Sequence, residues 1–191
     1  MAYHGYTTKA SYEGAPNRSL RIARLASDLG GLVSDAYIDL GDTSRRIIPR
    51  KTHHATLLGS TEFTRYYGEH TKNPSEILDI LKKSEGDFFT SKLMTMTTGI
   101  TLLGSNARPS VALALDDSVT DERSAIKEII DSHLGIKTSW DGDDGTDWQP
   151  HITLAETTDQ QTAADLIKIL KASGRLPSYI LLDPAKHAVK T

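Results

Sequence analysis

The chain contains no cysteine, so disulfide bonds, thiolate metal sites and cysteine nucleophiles are excluded. Its formal net charge is only −3 over 191 residues, which gives no general attraction to nucleic acid or to membrane surfaces. No stretch approaches the roughly 18 consecutive apolar residues of a membrane-spanning helix. The polar start "MAYHGYTTKASYEG" lacks the apolar core of a signal peptide. We therefore expect a soluble, cytoplasmic protein that does not bind membranes.

Motifs typical of several other chemistries are also missing. There is no Gly-x-Ser-x-Gly, and the glycines of "GITLLGSN" are not followed by the Lys-Ser/Thr pair of a phosphate-binding loop. The acidic stretch 141–152 has Ile152 where a calcium loop needs a bidentate glutamate. The other histidines do not show the spacing of zinc ligands. We predict that the protein uses no metal and no cofactor.

Helical and strand patterns alternate along the sequence, which predicts an α+β fold. A chain of this length favours one domain, residues 1–191, built from two lobes. An N-terminal arm over 1–15 and a loose tail over 184–191 flank it. The predicted helices span residues 17–31, 73–83, 120–135 and 158–174, and the predicted strands span 32–40, 54–58, 92–104, 110–117, 151–156 and 178–183. A loop is expected over 41–51, where Pro49 acts as a breaker.

Two of the predicted strands begin with the same pattern, His-x-Thr-Leu, in "HATLL" and "HITLA". Side chains alternate between the two faces of a strand, so His54 and Thr56 share one face, and His151 and Thr153 share the corresponding face of the other strand. If the two strands lie side by side, two imidazoles and two hydroxyls meet on one surface.

This set of groups suits the cleavage of a phosphodiester. The reaction needs a base for the attacking hydroxyl or water and an acid for the leaving oxygen, and histidine can do either near neutral pH. Threonine hydroxyls can donate hydrogen bonds to the non-bridging oxygens, where charge develops. With two imidazoles handling the protons, no metal is required.

The paired motifs, the proline before the second histidine in "PHITL" and the intervening hairpin and helix resemble the 2H phosphoesterase superfamily. This group includes the LigT-like RNA 2′,3′-cyclic phosphodiesterases. The resemblance covers roughly residues 50 to 182. It implies a bilobal, pseudo-symmetric fold of antiparallel sheets flanked by helices, with a central cleft. It also implies that His54 and His151 are the acid and base, and that Thr56 and Thr153 hold the phosphate.

The substrate class is a finer expectation. Compact size, the Pro-x-Lys-x-His approach to the first motif and the aromatic, acidic loop before "PHITL" resemble the phage enzymes that degrade anti-phage cyclic oligonucleotide signals, the anti-CBASS branch. We expect a small cyclic nucleotide or cyclic oligonucleotide, met in the host cytoplasm if a phage encodes the chain. The acidic run "DGDDGTD" would repel a long polyanion.

Three alternatives remain open from the sequence. The chain could process RNA 3′ ends, as a 2′,3′-cyclic phosphodiesterase or a 2′-5′ RNA ligase-like enzyme. It could instead be a non-catalytic nucleotide-binding module. In the third alternative the paired motifs are structural, and the chain is a scaffold or virion-associated protein.

Candidate substrate contacts flank the motifs. Arg50 and Lys51 end a basic run before the first motif and could meet phosphate. Trp148, three residues before His151, and Tyr12 in the N-terminal arm could stack on a base. His53 should face away from His54, and we expect it at the surface or behind the catalytic side chains.

Overall fold

Helices and strands are interleaved through the part of the chain that the structure describes. The computed structural model describes residues 20–26, 29, 31–33, 47–71, 74–84, 91–105, 108–140, 148–183 and 188–189. The helices are α1 (Ser60–Tyr67), α2 (Pro74–Lys83), α3 (Ser118–Leu134) and α4 (Gln160–Ala172). The strands are β1 (Leu20–Ala26), β2 (Ile47–Pro49), β3 (His54–Leu58), β4 (Leu93–Ser105), β5 (Arg108–Leu115), β6 (His151–Thr157), β7 (Tyr179–Asp183) and β8 (Ala188–Val189).

The strands form one antiparallel sheet that closes on itself. Its order is β2-β6-β3-β1-β7-β4-β5, and β5 pairs in turn with β6. Six strands therefore make a ring in which β3 and β6 are neighbours. The long strand β4 joins two parts of this ring, because its first residues pair with β7 and its later residues pair with β5.

The hydrophobic core lies between the outer face of the sheet and the helices. Helix α1 packs on β1, α3 packs on β3, and α2 packs on α3. Helix α4 covers β4, β5 and β6. Leu57, Leu113 and Leu154 point into this core and are fully buried. The result is a bilobal α+β fold in which the helices of the described part of the chain flank the antiparallel strands on one face.

The helix expected over residues 17–31 is wrong, because Leu20–Ala26 form strand β1 between β3 and β7. Its apolar spacing fitted a helical stripe, but Ile22 and Arg24 are both turned into the core. Ala23 between them is paired with Thr56 on the opposite face and is 8% exposed. Arg24 is held in the core by Glu122 of α3, a partner that local spacing cannot reveal. Tertiary pairing has overridden the local preference for helix.

Smaller differences lie at the edges of elements. Residues 47–49, expected in a loop, form β2 and pair with β6. The tail is not loose throughout, because Ala188–Val189 pair with β1. Helix α1 was not predicted at all, and residues 31–33 lie in a helical turn where a strand was expected to begin. The hairpin β4–β5, the strands β3, β6 and β7, and helices α2, α3 and α4 are confirmed. The arm 1–15 lies outside the described residues.

Candidate active site

The two His-x-Thr strands lie next to each other in the sheet. Ala55 of β3 pairs with Ile152 of β6, and both side chains are buried against the helices, with exposures of 1% and 0%. Because side chains alternate along a strand, the motif histidines and threonines point to the opposite face. All four are half-buried there. We call this side of the sheet the cleft face.

The register arranges the four groups crosswise. Continuing the antiparallel pairing by one residue on either side of Ala55 and Ile152 places His54 opposite Thr153 and His151 opposite Thr56. Cross-strand neighbours on one face have Cβ atoms about 5 Å apart. Each imidazole therefore lies beside a hydroxyl from the other strand, and the two imidazoles lie on a diagonal.

The strands outside the pair present apolar neighbours. Each threonine lies beside an alanine, which leaves space above the hydroxyls, whereas the two histidines have neighbours of different size. The outer pairs are Thr56 with Ala23, Thr153 with Ala112, His54 with Leu25, and His151 with Ala114.

The ring orientation of His151 is set by the main chain. Its Nδ1 lies 2.8 Å from the carbonyl oxygen of Gln149. A carbonyl oxygen only accepts hydrogen bonds, so Nδ1 carries a proton and donates it. In the neutral ring, Nε2 is then the nitrogen with the lone pair. The segment is anchored again at Pro150, whose carbonyl accepts from the Leu115 amide at 2.9 Å.

Arg50 lies beside the motifs but already has a carboxylate partner. Its backbone N–H donates to the Leu154 carbonyl at 2.9 Å, and its guanidinium pairs with Glu156. Glu156 is on the cleft face, because the register shift opposite β5 buries both Leu154 and Ala155 and returns residue 156 to that face. Lys51 is exposed. Both predicted phosphate contacts are thus near the motifs, with Arg50 neutralised locally.

Trp148 is half-buried against the core. The guanidinium carbon of Arg123 lies 4.4 Å from its ring centroid, so a cation covers one face of the indole. At most one ring face is left for a nucleobase. The role of Trp148 in substrate binding stays a prediction, as does that of Tyr12, which lies outside the described residues.

His53 faces away from His54, as expected, but it is not at the surface. It is 8% exposed, and burial lowers the pKa of its imidazole below the usual value. Its Nε2 has no hydrogen-bond partner among the described residues. Its carbonyl accepts from the Ala26 amide at 2.8 Å, which extends the β1–β3 ladder past the first motif. His53 therefore supports the strand from the core side.

Sequence reasoning missed Arg123, which touches segments next to both motifs. It is 4% exposed and lies under two tryptophan rings. In the sequence, Arg123 is one of several charged residues in a predicted helix, and nothing in the local pattern indicates that it is buried. Only its tertiary contacts reveal that it lies between the supports of the two motifs.

The described part of the chain also bears on metal binding and on membrane insertion. No group of three or more histidine, aspartate or glutamate side chains there could hold a metal ion. None of the helices described is long and apolar enough to cross a membrane.

No protein-family model matches the chain, and no curated protein is significantly similar to it in sequence. Among solved structures, the chain is similar to Usb1 of Kluyveromyces marxianus, with a TM-score of 0.50 and 10% identity over 87% of this chain and 91% of that chain. This likeness shows a 2H phosphoesterase-like fold. A structure of K. marxianus Usb1 with uridine monophosphate has a TM-score of 0.43 and 12% identity, and 81% of each chain is covered. In the 2H phosphoesterase-like fold of this chain, the cleft face carries both His-x-Thr motifs.

Proposed function

We propose that the chain is a metal-independent phosphodiesterase of the 2H superfamily, in which His54 and His151 act as acid and base. One observation carries the proposal: the two motif strands are paired through Ala55 and Ile152, so that all four motif side chains share the cleft face. A pair of structural motifs would have no need for this shared face or for the crosswise register.

The proton balance of the reaction follows from this arrangement. One imidazole takes the proton of the attacking hydroxyl or water as the new O–P bond forms. The bond from phosphorus to the leaving oxygen breaks, and the second ring, protonated at the start, gives its proton to that oxygen. The pair ends with its protonation exchanged, and solvent restores it.

His151 enters this scheme through Nε2, because Nδ1 is committed to the Gln149 carbonyl. The same hydrogen bond persists when the ring is protonated, so the orientation serves an acid or a base equally. Thr56 and Thr153 donate their hydroxyl protons to the non-bridging oxygens, where negative charge increases in the transition state. Which histidine is the base stays open.

The preferred substrate in this proposal is a small nucleotide, such as a cyclic oligonucleotide of the anti-phage signalling type. The pairing of Arg50 with Glu156 supports a small substrate, since it removes net positive charge from the cleft face next to the motifs. Enzymes of long RNA depend on basic surface to bind the backbone. The acidic run at 141–147, which led to the same expectation, lies outside the described residues.

A second candidate, the processing of RNA 3′ ends, is favoured by the apolar surface on the His54 side of the cleft face. Leu25 pairs with both His54 and Asp183, and β7 pairs with β4, so the exposed side chains of these strands continue the face that carries His54. These side chains are Leu25, Met94, Met96, Tyr179 and Leu181. Unstacked bases of single-stranded RNA bind to apolar and aromatic surfaces of this kind.

Hydrolysis in EDTA tests the proposal. The panel holds 2′,3′-cyclic mononucleotides, 2′-5′ and 3′-5′ linked dinucleotides, cyclic di- and trinucleotides, and a short RNA. His54→Ala and His151→Ala are compared with His133→Ala, which replaces an exposed histidine in the last turn of α3. We expect turnover of at least one substrate, lost by about 10²- to 10⁴-fold in the two motif variants and retained in the control.

Other outcomes lead elsewhere. Binding of uridine monophosphate without turnover of any panel member would favour the nucleotide-binding module. Turnover that survives both motif variants would place the site away from the His-x-Thr pair. Cleavage of the short RNA alone would exclude the cyclic-oligonucleotide preference.

A further inference from the structure

Arg123 lies at the point where the supports of the two motif strands meet. It belongs to α3, and its guanidinium contacts four groups in the core. The groups are the Leu57 carbonyl, the Glu62 carboxylate, the Trp140 ring and the Trp148 ring. Leu57 and Glu62 follow Thr56 of the first motif in the sequence. Trp148 precedes His151 of the second motif by three residues.

The contacts on the first side fix the end of β3. Nη1 donates to the carbonyl of Leu57, the residue after Thr56, at 2.5 Å. Nη2 donates to Oε1 of Glu62 at 2.9 Å, and Oε2 of the same carboxylate accepts from the Gly59 amide at 2.7 Å. Arg123 and Glu62 thus hold residues 57 and 59 from outside the sheet.

The contacts on the second side reach the His151 ring in two steps. The guanidinium carbon lies 4.7 Å from the Trp140 centroid and 4.4 Å from the Trp148 centroid. The residue after Trp148 is Gln149, whose carbonyl accepts from Nδ1 of His151. A displacement of Trp148 would therefore move the carbonyl that sets the tautomer of His151.

The choice of arginine matches these demands. An aliphatic side chain could fill the space under the two indoles but could not donate to the Leu57 carbonyl. A lysine could donate, but its compact ammonium lacks the planar, forked donor set and the flat surface that packs on aromatic rings. Only arginine serves the carbonyl, the carboxylate and both rings at once.

We propose that Arg123 is a positioning residue, which holds the two His-x-Thr strands in their mutual register and fixes the tautomer of His151 through Trp148 and Gln149. The catalytic part of this inference rests on the proposed phosphodiesterase function. The structural part, the orientation of the His151 ring, does not.

The experiment compares Arg123→Lys with Arg24→Lys. Arg24 of β1 is the matched control because it is also buried, at 2% exposure, and is also paired with a glutamate. That glutamate, Glu122, belongs to α3, the helix that carries Arg123. Three quantities are measured: the melting temperature, kcat and KM on a substrate that the wild-type chain turns over, and the ¹⁵N chemical shifts of the His151 ring without substrate. We expect similar losses of melting temperature for the two variants. For Arg123→Lys alone we expect kcat to fall about 10- to 100-fold with KM within about threefold, since misplacement by an ångström is costly.

The ¹⁵N chemical shifts of the His151 ring test the positioning role of Arg123 independently of the proposed function. Wild-type protein should show His151 with its proton on Nδ1, and Arg123→Lys should show a mixture of tautomers. If the wild-type chain turns over no substrate, the phosphodiesterase proposal fails while the tautomer result still decides the positioning role. Wild-type tautomer and wild-type kcat in Arg123→Lys would reduce Arg123 to a stabilising residue. If that variant does not fold, Trp148→Leu removes one stacking contact, keeps the polar contacts of Arg123, and is expected to give the same mixture.

Discussion

The strands β3 and β6 carry the same motif but are held in different ways. Strand β6 runs between β5 on one side and both β2 and β3 on the other, and the Gln149 carbonyl orients its histidine. Strand β3 pairs with β1 and begins directly after the buried His53. Near its end, the Leu57 carbonyl accepts a hydrogen bond from Arg123. The main chain pairs both strands with neighbours on either side. The difference is that Arg123 contacts the end of β3 directly, whereas it reaches the second motif only through Trp148 and Gln149.

The cleft face is also asymmetric in its surroundings. Small alanines lie beside both threonines, so the two hydroxyls have similar space above them. The histidines differ, because His54 has the exposed Leu25 beside it and His151 has Ala114. Under the proposed function, the two histidines would carry out the same kind of chemistry beside neighbours of different size, which would help the site to distinguish the two ends of a phosphodiester.

The largest expected effect tests the chemical symmetry. If both imidazoles carry protons in the reaction, His54→Ala and His151→Ala should each lower kcat by about 10²- to 10⁴-fold. Each variant should also lose a different limb of the bell-shaped pH–rate profile, and this would identify the base. Loss of the same limb in both variants, or a large loss in only one, would contradict paired acid and base roles.

Removal of the hydroxyls should have the next largest effect. Thr56→Val and Thr153→Val keep the shape of the side chain but remove the donor, so each should lower kcat by about 10²-fold. The measurement is steady-state turnover, with Thr120→Val on α3 as a control outside the cleft face. Since both threonines lie beside an alanine, the two losses should agree within about threefold. A change in KM alone would mean that the hydroxyls bind the ground state and not the transition state.

Removal of the carboxylate that pairs with Arg50 should have a moderate effect on KM. Glu156→Gln removes the carboxylate that neutralises Arg50, so we expect KM for an anionic substrate to fall about two- to fivefold and to rise more steeply with salt. Arg50→Gln should do the opposite. The pair is partly exposed and its contribution to stability is small, so the melting temperatures should stay close to wild type. Unchanged KM in both variants would remove Arg50 from the list of substrate contacts.

The smallest expected effect concerns the core side of β3. Burial lowers the pKa of His53, so on acidification the unfolded chain takes up a proton at about pH 6.5 and the folded chain does so only at a lower pH. The associated stability is complete above that pH and is lost as the pH falls toward the folded-state pKa. The loss can reach about 1.4 kcal/mol for each pH unit in that window.

His53→Leu should flatten this acid-side decline. The measurement is urea unfolding at pH 7.5 and pH 5.5, and His133→Leu, at an exposed position, should keep the wild-type difference between the two pH values. An undiminished decline in His53→Leu would mean that other groups cause the acid sensitivity.

Much of the fold follows from local periodicity. Period-two alternation in "HATLL" and "HITLA" was sufficient to predict strands with histidine and threonine on one face. Helices α2, α3 and α4 followed from residues typical of helix starts and ends, together with inward-facing isoleucines in α3. The same method failed for Leu20–Ala26, whose leucines and alanines fit a helical stripe as well as a strand. When the apolar spacing of a segment fits both a helix and a strand, the packing partners of the segment decide which structure it adopts.

The sequence by itself determined the four motif residues and the alternation that turns them to one side. Only the tertiary structure decided that β3 and β6 are neighbours in a crosswise register, that Arg123 supports both, that Glu156 neutralises Arg50, and that His53 is buried. The physical reason is the range of the interactions. Strand alternation depends on the backbone of a few consecutive residues, whereas these pairings join positions far apart in the chain, and no local pattern specifies which distant partner each will meet.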